Sequence, residues 1–530
     1  MPLVKVNGIA VEVPPGTNMI EAAKKVGVEI PHYCYHPHLS VAGNCRMCLV
    51  DVEAGGRGPD IACNMAATEG LAIRTDTPKV TQMRKSVMEF LLVNHPLDCP
   101  ICDQSGECRL QDYYMEYGQH DSRLADAKMG KGKRQDIGDQ IVLDAERCVQ
   151  CSRCVRFSDE VTGTGELRLF NRSNQTQIGI FPGVRLSHQY QGNLADICPV
   201  GALTLKDFRF KKRVWWLKES ESVCGGCATG CNTLVHHQEN EVYRFTPRRN
   251  DEVNKSWICD QGRLSYKDVT SLKRLTGAKV DGQRAELPEA ANAAAMVLKG
   301  AKVGVVFGAK ATTEANWAAV KLVRARLPNA RAFVIEGNDP DAFTYQDEIL
   351  VDSDKTPNRF GAALTASQLG SVGDAEALKA ALASGEVDAL LVLHDDVVGR
   401  LGVATPKALV YVGTFKNATS SAAAVVLPAA HYIEQPGTWI NRQGRIQRLR
   451  KTVAPAGDSV ADYAAVDAIG RAFGGAVIPE MPAAIFQELA AGVKALNGLT
   501  LKGLGHGGQL ITLFAPSPGV DQPGQAAPAK

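Results

Sequence analysis

The chain has 530 residues, of which 45% are hydrophobic and 22% are charged. Such a chain is too long for one hydrophobic core, and the composition is typical of folded globular domains, so we expect roughly three to five of them. A net charge of +2 creates no long-range field of one sign, which argues against a protein whose main role is to coat nucleic acid.

Neither membrane insertion nor export is predicted. The sequence has no run of about 20 apolar residues, and its first residues, MPLVKVNGIAVEV, lack the charged-then-apolar form of a signal peptide. We therefore expect a bacterial cytoplasmic protein. The segment 208–216, FRFKKRVWW, mixes basic and aromatic residues that could bind single-stranded nucleic acid, but a solvated strand edge or a domain-packing segment is the preferred interpretation.

All fifteen cysteines lie within the first 259 residues. Disulfide frameworks are typical of short secreted chains, whereas clustered C-x-x-C spacings in a cytosolic protein indicate metal sites. In chain order the cysteines fall into four sets.

The first set follows a predicted hairpin and helix. Leu3 to Val13 alternates in polarity around Asn7-Gly8, which is a β-hairpin signature, and residues 17–26, TNMIEAAKKV, predict a capped helix. A short loop, GNCRMCL, then contains two of the four cysteines in the set Cys34, Cys45, Cys48 and Cys63. Hairpin, helix and cysteine loop resemble a β-grasp ferredoxin, which implies a plant-type [2Fe-2S] cluster. Structural zinc is the alternative.

The second set lies in NHPLDCPICDQSGEC and consists of His95, Cys99, Cys102 and Cys108. Taken alone, His95 would be interpreted as a turn residue, because Asn-His-Pro is a turn sequence. The other three sets take four cysteines each, so three of the fifteen remain here for a cluster whose four irons each need a ligand. The pattern H-x3-C-x2-C-x5-C resembles the [4Fe-4S] site, with one histidine and three cysteine ligands, that respiratory complex I shares with iron-only hydrogenases.

The third set consists of Cys148, Cys151, Cys154 and Cys198. Two-cluster ferredoxins repeat C-x2-C-x2-C-x3-C-P, and the fourth cysteine of each repeat binds the other cluster. The first repeat keeps its leading triplet here, and the second keeps its fourth cysteine before Pro199. The remaining positions hold other residues: Ser158, His188, Gln191 and Leu194. One complete ligand set is present and its partner is absent, which predicts a ferredoxin-like domain with a single [4Fe-4S] cluster.

The fourth set consists of Cys224, Cys227, Cys231 and Cys259. It resembles the [4Fe-4S] domain that opens molybdopterin oxidoreductases of the formate dehydrogenase type. In many of those enzymes the last cysteine begins C-x-K-G, with the lysine between cluster and pterin. Gln261 stands at that position here, which puts a connection to a pterin in doubt.

The cysteine-free half has an α/β pattern. AKVGVVFG and ARAFVIEGND predict strands on either side of an amphipathic helix, TTEANWAAVKLVRARL, and further strands follow at VDALLVLHD, KALVYVGTF and SAAAVVLPAA. Gly304 and Gly308 do not complete a dinucleotide-binding motif. Val425 to Gln447 resembles the corresponding stretch of molybdopterin oxidoreductases. Because every cysteine is already assigned, we expect a truncated, non-catalytic scaffold without molybdenum.

The order of the four sets resembles the large peripheral iron-sulfur subunit, of the G type, of bacterial NADH:quinone oxidoreductase, respiratory complex I. The resemblance implies a multidomain α+β and α/β fold. The expected domains are a β-grasp [2Fe-2S] ferredoxin domain at 1–80, a domain with one histidine and three cysteine ligands at 81–120, a ferredoxin-like [4Fe-4S] domain at 138–215, a [4Fe-4S] domain at 217–273, a degenerate molybdopterin-oxidoreductase-like α/β domain at 274–515, and a disordered tail at 516–530.

The same resemblance implies an electron relay with one [2Fe-2S] and three [4Fe-4S] clusters, without a substrate site of its own. Electrons would enter from a flavin- and NADH-binding subunit at the [2Fe-2S] cluster, pass to the Cys148 set and then the His95 set, and leave to another iron-sulfur subunit on the way to quinone. The Cys224 set would lie off this path. The chain would be a peripheral subunit at the cytoplasmic face of the bacterial inner membrane, with no nucleic acid partner.

Two alternatives remain open at this point. A catalytic formate dehydrogenase-type enzyme would contain stoichiometric molybdenum or tungsten. A diaphorase subunit of an NAD-linked hydrogenase would purify with a nickel-iron partner, but the fourth set and the pterin-like scaffold disfavour it.

Overall fold

The computed structural model describes residues 1–53, 58–119, 121–403, 406 and 408–511. The chain divides into two compact units, Met1–Leu217 and the part that begins at Lys218. The tail predicted at 516–530 lies outside the described residues. Within the described ranges, no helix has the length and apolar character needed to cross a membrane.

The first unit begins with a mixed sheet and a helix. Its elements are β1 (Leu3–Val6), β2 (Ile9–Glu12), α1 (Met19–Lys25), β3 (Leu49–Val52), β4 (Asp60–Ile61) and β5 (Ala72–Arg74). The five strands lie in the order β2-β1-β5-β3-β4. Strands β1 and β5 are parallel, and the other neighbours are antiparallel.

The predicted hairpin and helix are both present. Strands β1 and β2 pair around a turn in which Asn7 and Gly8 have φ values of +50° and +82°, as a tight hairpin turn requires. Helix α1 begins at Met19 because Asn18 is its N-cap, accepting hydrogen bonds from two backbone N–H groups of the first turn. Ile20 packs with Val4 and Val6 in the core of this part.

Two helices follow, α2 (Pro78–Leu92) and α3 (Arg109–Tyr117), with a 3-10 turn at Cys99–Ile101 between them. Pro78 occupies the first position of α2, where its missing N–H costs nothing. Arg84 is buried on α2 and donates to the Tyr117 hydroxyl (2.9 Å) and to the Leu49 carbonyl (3.1 Å). It therefore joins α2 to α3 and β3.

The rest of the first unit consists of short strands and two short helices. They are β6 (Gln135–Asp136), β7 (Ile141–Leu143), α4 (Arg153–Glu160), β8 (Leu167–Phe170), β9 (Gln177–Ile180), α5 (Gly192–Ile197) and β10 (Leu203–Leu205). Strands β10, β7 and β6 form one sheet in that order, and β8 pairs with β9.

The basic-aromatic segment 208–216 packs against the loop that contains the second cysteine set. Arg213 donates to the Cys102 carbonyl (2.6 Å) and the Pro100 carbonyl (2.6 Å), and the Phe210 N–H donates to Asp103 (2.8 Å). Its last residues, Val214–Trp216, form a 3-10 turn rather than a strand. Of the two preferred interpretations, the packing segment is therefore confirmed.

The second unit starts with an antiparallel sheet of β11 (Lys218–Val223), β12 (Asn232–Gln238) and β13 (Glu241–Pro247), followed by α6 (Asp260–Leu264). A strand pair, β14 (Ala278–Val280) and β15 (Gln283–Ala285), leads into the α/β part.

The α/β part alternates strands and helices as predicted. Its elements are α7 (Leu287–Leu298), β16 (Val303–Phe307), α8 (Thr313–Arg326), β17 (Arg331–Val334), α9 (Arg359–Ala366), β18 (Val372–Gly373), α10 (Ala375–Ala383), β19 (Ala389–Leu393), α11 (Val397–Leu401), β20 (Ala408–Gly413), α12 (Ala418–Ala422), β21 (Val425–Pro428), β22 (Gly437–Ile440), β23 (Arg445–Leu449), α13 (Asp462–Ala472), α14 (Pro482–Gly492) and β24 (Gln509–Leu510).

These strands form an eight-stranded sheet in the order β15-β14-β21-β20-β19-β16-β17-β18, and β22, β23 and β24 form a smaller one. The run from β21 to β18 is parallel, so the five predicted strands and the βαβ unit are confirmed. A methyl group on Gly308 would stand 2.2 Å from the Leu393 carbonyl oxygen. This glycine therefore allows the chain after β16 to approach β19 closely.

The helix predicted between the first two of these strands is present as α8, but its predicted amphipathic character is wrong. Buried residues, Glu314 among them, occur on all sides of α8 along most of its length, and the basic side chains are confined to its last turns. The reason is that α9, α13, α14 and β22 all pack against it. A single-sequence pattern does not reveal this second layer of helices.

Candidate metal centres

The thiols of the first set contact one another. Cys45 and Cys48 lie in the loop before β3, and Cys63 lies in a 3-10 turn after β4. Hydrogen bonds from the Cys45 and Cys63 thiols lower the pKa of Cys34, and a hydrogen bond from Cys63 lowers the pKa of Cys48. The four predicted ligands therefore form one connected group, buried except for the half-buried Cys45.

The second set lines a single cavity, to which His95 and all three cysteines contribute. His95 lies between α2 and the turn that begins at Cys99, and Cys108 directly precedes α3. Burial lowers the pKa of His95 to about 4, so its imidazole is neutral near pH 7, which is the form that binds metals. The structure therefore brings the predicted fourth donor to the cysteines instead of leaving it in an exposed turn.

Gly201 lies against this second set. A methyl group at Gly201 would stand 2.3 Å from Cys102 Sγ and 3.1 Å from Gln104 Cβ. We expect Gly201→Ala to destabilise the loaded site by about 1–3 kcal/mol, because overpacking displaces the sulfur. The measurement is the iron content of the purified variant. Gly130→Ala is the control, since its methyl group would be 3.5 Å from its nearest neighbour; full iron content in both variants would contradict the prediction.

The third set also lines one cavity, with contributions from Cys148, Cys151, Cys154 and Cys198. Cys148 and Cys151 lie on a loop that turns sharply into α4, where Gln150 and Ser152 adopt left-handed φ values of +54° and +59°, and Cys154 is the second residue of α4. The Gln150 N–H donates to Cys148 Sγ at 3.3 Å. Cys198 follows α5 and closes the cavity from the other side.

The positions of the absent partner set are filled by packed and hydrogen-bonded side chains. Ser158 Oγ accepts a hydrogen bond from the Leu167 N–H (3.4 Å), and Gln191 Oε1 accepts one from the Gln140 N–H (3.1 Å). The His188 ring packs against Phe157 with centroids 6.0 Å apart. These residues now serve as ordinary core positions.

The fourth set lines a cavity that is closed by the α/β part of the same unit. Cys224, Cys227, Cys231 and Cys259 share it with Phe343, Leu350 and Val351, which belong to the loop between β17 and α9. The Gly226 N–H donates to Cys224 Sγ (3.4 Å) and the Gly262 N–H to Cys259 Sγ (3.2 Å). Sequence reasoning missed the three apolar residues, because a loop without periodicity carries no signal of what it covers.

The segment predicted to resemble molybdopterin oxidoreductases holds the loop of this fourth set. Asn441 donates to the Thr229 carbonyl (3.0 Å), Gln447 donates to the Gly230 carbonyl (2.8 Å), and the Arg442 N–H donates to the Ala228 carbonyl (2.8 Å). Gln261, at the position of the expected lysine, is exposed on α6. The segment therefore supports the cysteine loop in this chain.

Three of the four sets share one core in the first unit. Buried cysteines from each set, Cys34, Cys108 and Cys151, belong to the same packed group of side chains, whose other buried members are Tyr33, Met47, Met88, Leu110, Tyr113, Tyr117, Val200 and Ala202. We call this group the shared core. Residue spacing along the chain did not predict that these sets would be neighbours.

Direct hydrogen bonds also cross between the sets. Arg156 Nη2 donates to the Cys34 carbonyl (2.6 Å) and to the Cys151 carbonyl (3.3 Å). The Arg109 N–H, next to Cys108, donates to the Pro199 carbonyl (3.1 Å). Arg156 thus joins the loops of the first and third sets, and the Arg109 contact joins the second and third sets.

Among the described residues, no three His, Cys, Asp or Glu side chains are arranged as the ligands of a single metal ion. The donors of a cluster are arranged differently, because they bind several iron atoms: one donor to each iron in a [4Fe-4S] cluster and two donors to each iron in a [2Fe-2S] cluster.

Comparison with known families matches five successive parts of the chain. A 2Fe-2S iron-sulfur cluster binding domain matches residues 3–78, and the NADH-ubiquinone oxidoreductase-G iron-sulfur binding region matches residues 84–123. The ferredoxin-like domain of NADH-quinone oxidoreductase subunit 3 matches residues 138–204, and the NDSU1/NuoG-like 4Fe-4S domain of NADH-ubiquinone oxidoreductase matches residues 217–267. A molybdopterin oxidoreductase family matches residues 291–472. The predicted order of domain types is confirmed.

Curated relatives of this chain are subunits of the enzyme that three of these family models name. The G subunit of NADH-quinone oxidoreductase from Streptomyces coelicolor is 41% identical over 331 residues, which are 61% of this chain and 39% of the relative. Its counterpart from Rickettsia conorii is 43% identical over 51% of this chain and 40% of its own length. This chain is a homologue of the G subunit.

The mitochondrial iron-sulfur protein 1 of NADH dehydrogenase (ubiquinone) from Solanum tuberosum is 44% identical to this G-subunit homologue, over 52% of this chain and 37% of its own length. The chain thus spans about two fifths of the length of the curated relatives it matches. Among solved structures, a chain of the NAD+-reducing [NiFe]-hydrogenase in the H2-reduced state is 27% identical, with a TM-score of 0.36, over 40% of this chain and 91% of that one.

Proposed function

We propose that this chain is an electron-relay subunit of NADH:quinone oxidoreductase that holds one [2Fe-2S] and three [4Fe-4S] clusters. The observation that carries the proposal is the shared core, in which cysteines of three donor sets pack together. A relay needs its redox centres close together, and sets that share one core meet this need.

The ligand assignment in this proposal uses fifteen cysteines and one histidine. The [2Fe-2S] cluster takes Cys34, Cys45, Cys48 and Cys63, and the [4Fe-4S] clusters take His95, Cys99, Cys102 and Cys108; Cys148, Cys151, Cys154 and Cys198; and Cys224, Cys227, Cys231 and Cys259. The cavities lined by the last three sets support the assignment, as do the backbone N–H groups that donate to the sulfurs.

Iron-sulfur clusters bound at these residues supply one-electron oxidation and reduction. The chain contributes the ligands, excludes water by burying them, and places N–H donors on their sulfurs, which together set the reduction potentials. His95 contributes a neutral ligand where the other donors are thiolates. Arg156 keeps the loops of the first and third sets in contact through its two carbonyl partners.

The proposal extends to the surroundings of the chain. Its partners would be the flavin- and NADH-binding subunit and the other iron-sulfur subunits of the peripheral arm, at the cytoplasmic face of the bacterial inner membrane. The proposed domains of this relay subunit are residues 1–80, 81–120, 138–215, 217–273 and 274–515.

Iron analysis and low-temperature EPR of the full chain test this proposal. We expect signals from one binuclear and three tetranuclear clusters, and molybdenum and tungsten below stoichiometric amounts. A different number of clusters would overturn the assignment, and stoichiometric molybdenum or tungsten would establish a catalytic molybdoenzyme instead.

A further inference from the structure

Arg147 lies between the second and third donor sets. It is 4% exposed and directly precedes Cys148, while its partner Asp98 directly precedes Cys99. Arg147 Nε donates to Asp98 Oδ1 at 3.1 Å, and Nη2 donates to Asp98 Oδ2 at 2.7 Å. An ion pair between the buried Arg147 and the partly buried Asp98 therefore joins the loops of the two sets.

The remaining terminal nitrogen of this guanidinium, Nη1, is buried and has no hydrogen-bond partner in the described part of the chain. An arginine nitrogen that is buried without a partner loses the hydrogen bonds that it made with water, which costs free energy. A fixed N–H in this state is therefore expected to face an acceptor that protein atoms alone do not supply.

The acceptor can be located from the neighbours of Gly201. A methyl group on Gly201 would lie 3.5 Å from Arg147 Cδ and 2.3 Å from Cys102 Sγ, so the arginine side chain and this sulfur flank the same glycine. Cys102 Sγ is thus a near neighbour of the Arg147 side chain.

We propose that Arg147 Nη1 donates a hydrogen bond to sulfur at the cluster of the His95 set, through Cys102 or an adjacent cluster sulfide, and thereby raises the reduction potential of that cluster. The inference rests on the proposed function. A reduced cluster carries one more negative charge than an oxidised one, so a cationic donor stabilises the reduced form. The neutral imidazole of His95 acts in the same direction, because it adds no charge to the cluster.

Redox titration of the full chain, followed by low-temperature EPR, tests the role of Arg147. In Arg147→Met we expect the ratio of reduced to oxidised cluster at the His95 set to fall about tenfold at a fixed ambient potential. This fall corresponds to a reduction potential that is lower by about 59 mV for a one-electron step. Arg147→Lys keeps the charge but lacks the second terminal nitrogen, so its shift should be smaller. The reduction potential of the [2Fe-2S] cluster should change less than the reduction potential of the cluster at the His95 set.

Lys133→Met is the matched control. Lys133 binds the same carboxylate, with Nζ 3.1 Å from Asp98 Oδ2, but its side chain is 40% exposed. We expect a shift of less than about threefold for this variant, because solvent screens an exposed charge. A shift in Lys133→Met equal to that in Arg147→Met would overturn the inference, as would an unchanged potential in Arg147→Met.

A second variant covers the case in which Arg147→Met does not retain its cluster. The double variant Arg147→Met/Asp98→Asn removes both charges together and leaves no unpaired buried ion. Because the loss of the Asp98 charge by itself raises the potential, the reference for this variant is Asp98→Asn: a lower potential of the His95-set cluster than in Asp98→Asn supports the inference, and an equal potential refutes it. If the wild-type chain lacks a tetranuclear signal that depends on His95, the proposed function fails. If the wild-type signals are normal but the potential of the His95-set cluster is the same in the variants, only the role of Arg147 is refuted.

Discussion

Replacement of His95 by alanine is expected to abolish one tetranuclear EPR signal of the chain and to leave the other three cluster signals in place. His95 lines the same cavity as Cys99, Cys102 and Cys108, and the variant removes the donor for the fourth iron. The proposed electron-relay function further predicts that electron transfer from NADH to quinone in the assembled complex is lost in this variant.

His95→Cys should behave differently from His95→Ala. A thiolate can replace the imidazole as a ligand, so the cluster should remain, but the added negative charge should lower its reduction potential. Redox titration of the retained signal measures this shift.

His188→Gln is the matched control for the His95 variants. His188 is a buried histidine of the first unit, but it lies at a position of the absent partner set and packs against Phe157. We expect all four cluster signals to persist in this variant. Four unchanged signals in His95→Ala would remove His95 from the ligands.

Breaking the ion pair between Arg274 and Glu434 is expected to destabilise the second unit by about 3–5 kcal/mol. The two side chains are 4% and 2% exposed, and they are joined by hydrogen bonds of 3.0 and 2.6 Å. Glu434 also accepts the His431 N–H at 2.7 Å. Glu434→Gln therefore leaves a buried guanidinium without a countercharge and weakens a contact between the segment after α6 and the segment before β22.

Calorimetry of the full chain measures this loss as a lower midpoint for the transition of the second unit. In the double variant Arg274→Met/Glu434→Gln the loss should be smaller than the sum of the two single losses, because no ion is left unpaired. Asp458→Asn is the control: Asp458 pairs with Arg284 at 2.7 Å, but the side chains are 52% and 77% exposed. We expect it to cost less than about 1 kcal/mol, and an equal loss in Asp458→Asn and Glu434→Gln would contradict the role of burial.

Cysteine spacing predicted which residues the structure brings together around one cavity, because the members of one set are largely neighbours in sequence. The hairpin at Asn7-Gly8 and the parallel strands were also predictable, since turn residues and apolar runs are local signals. Long-range packing was not predictable in this way. No periodic pattern of hydrophobic residues in the sequence indicates that α8 is buried on all sides or that Phe343 closes the fourth cavity.

The arginines near the donor sets illustrate the same limit. Arg147 and Arg156 are each within a few residues of a cysteine, yet nothing in their spacing distinguishes them from surface residues. Their roles depend on Asp98, 49 positions away from Arg147, and on the Cys34 carbonyl, 122 positions away from Arg156. Only the folded chain brings these groups together.

The shared core has a consequence for how the protein matures in a cell. On the proposed ligand assignment, Cys34, Cys108 and Cys151 are both side chains of this core and cluster ligands, so the packing of the core depends on cluster insertion. Cluster insertion is then a folding step of the first unit rather than a later addition. A cell that is short of iron should therefore contain little of this protein, since the quality-control proteases that remove incompletely folded chains would degrade the unloaded form.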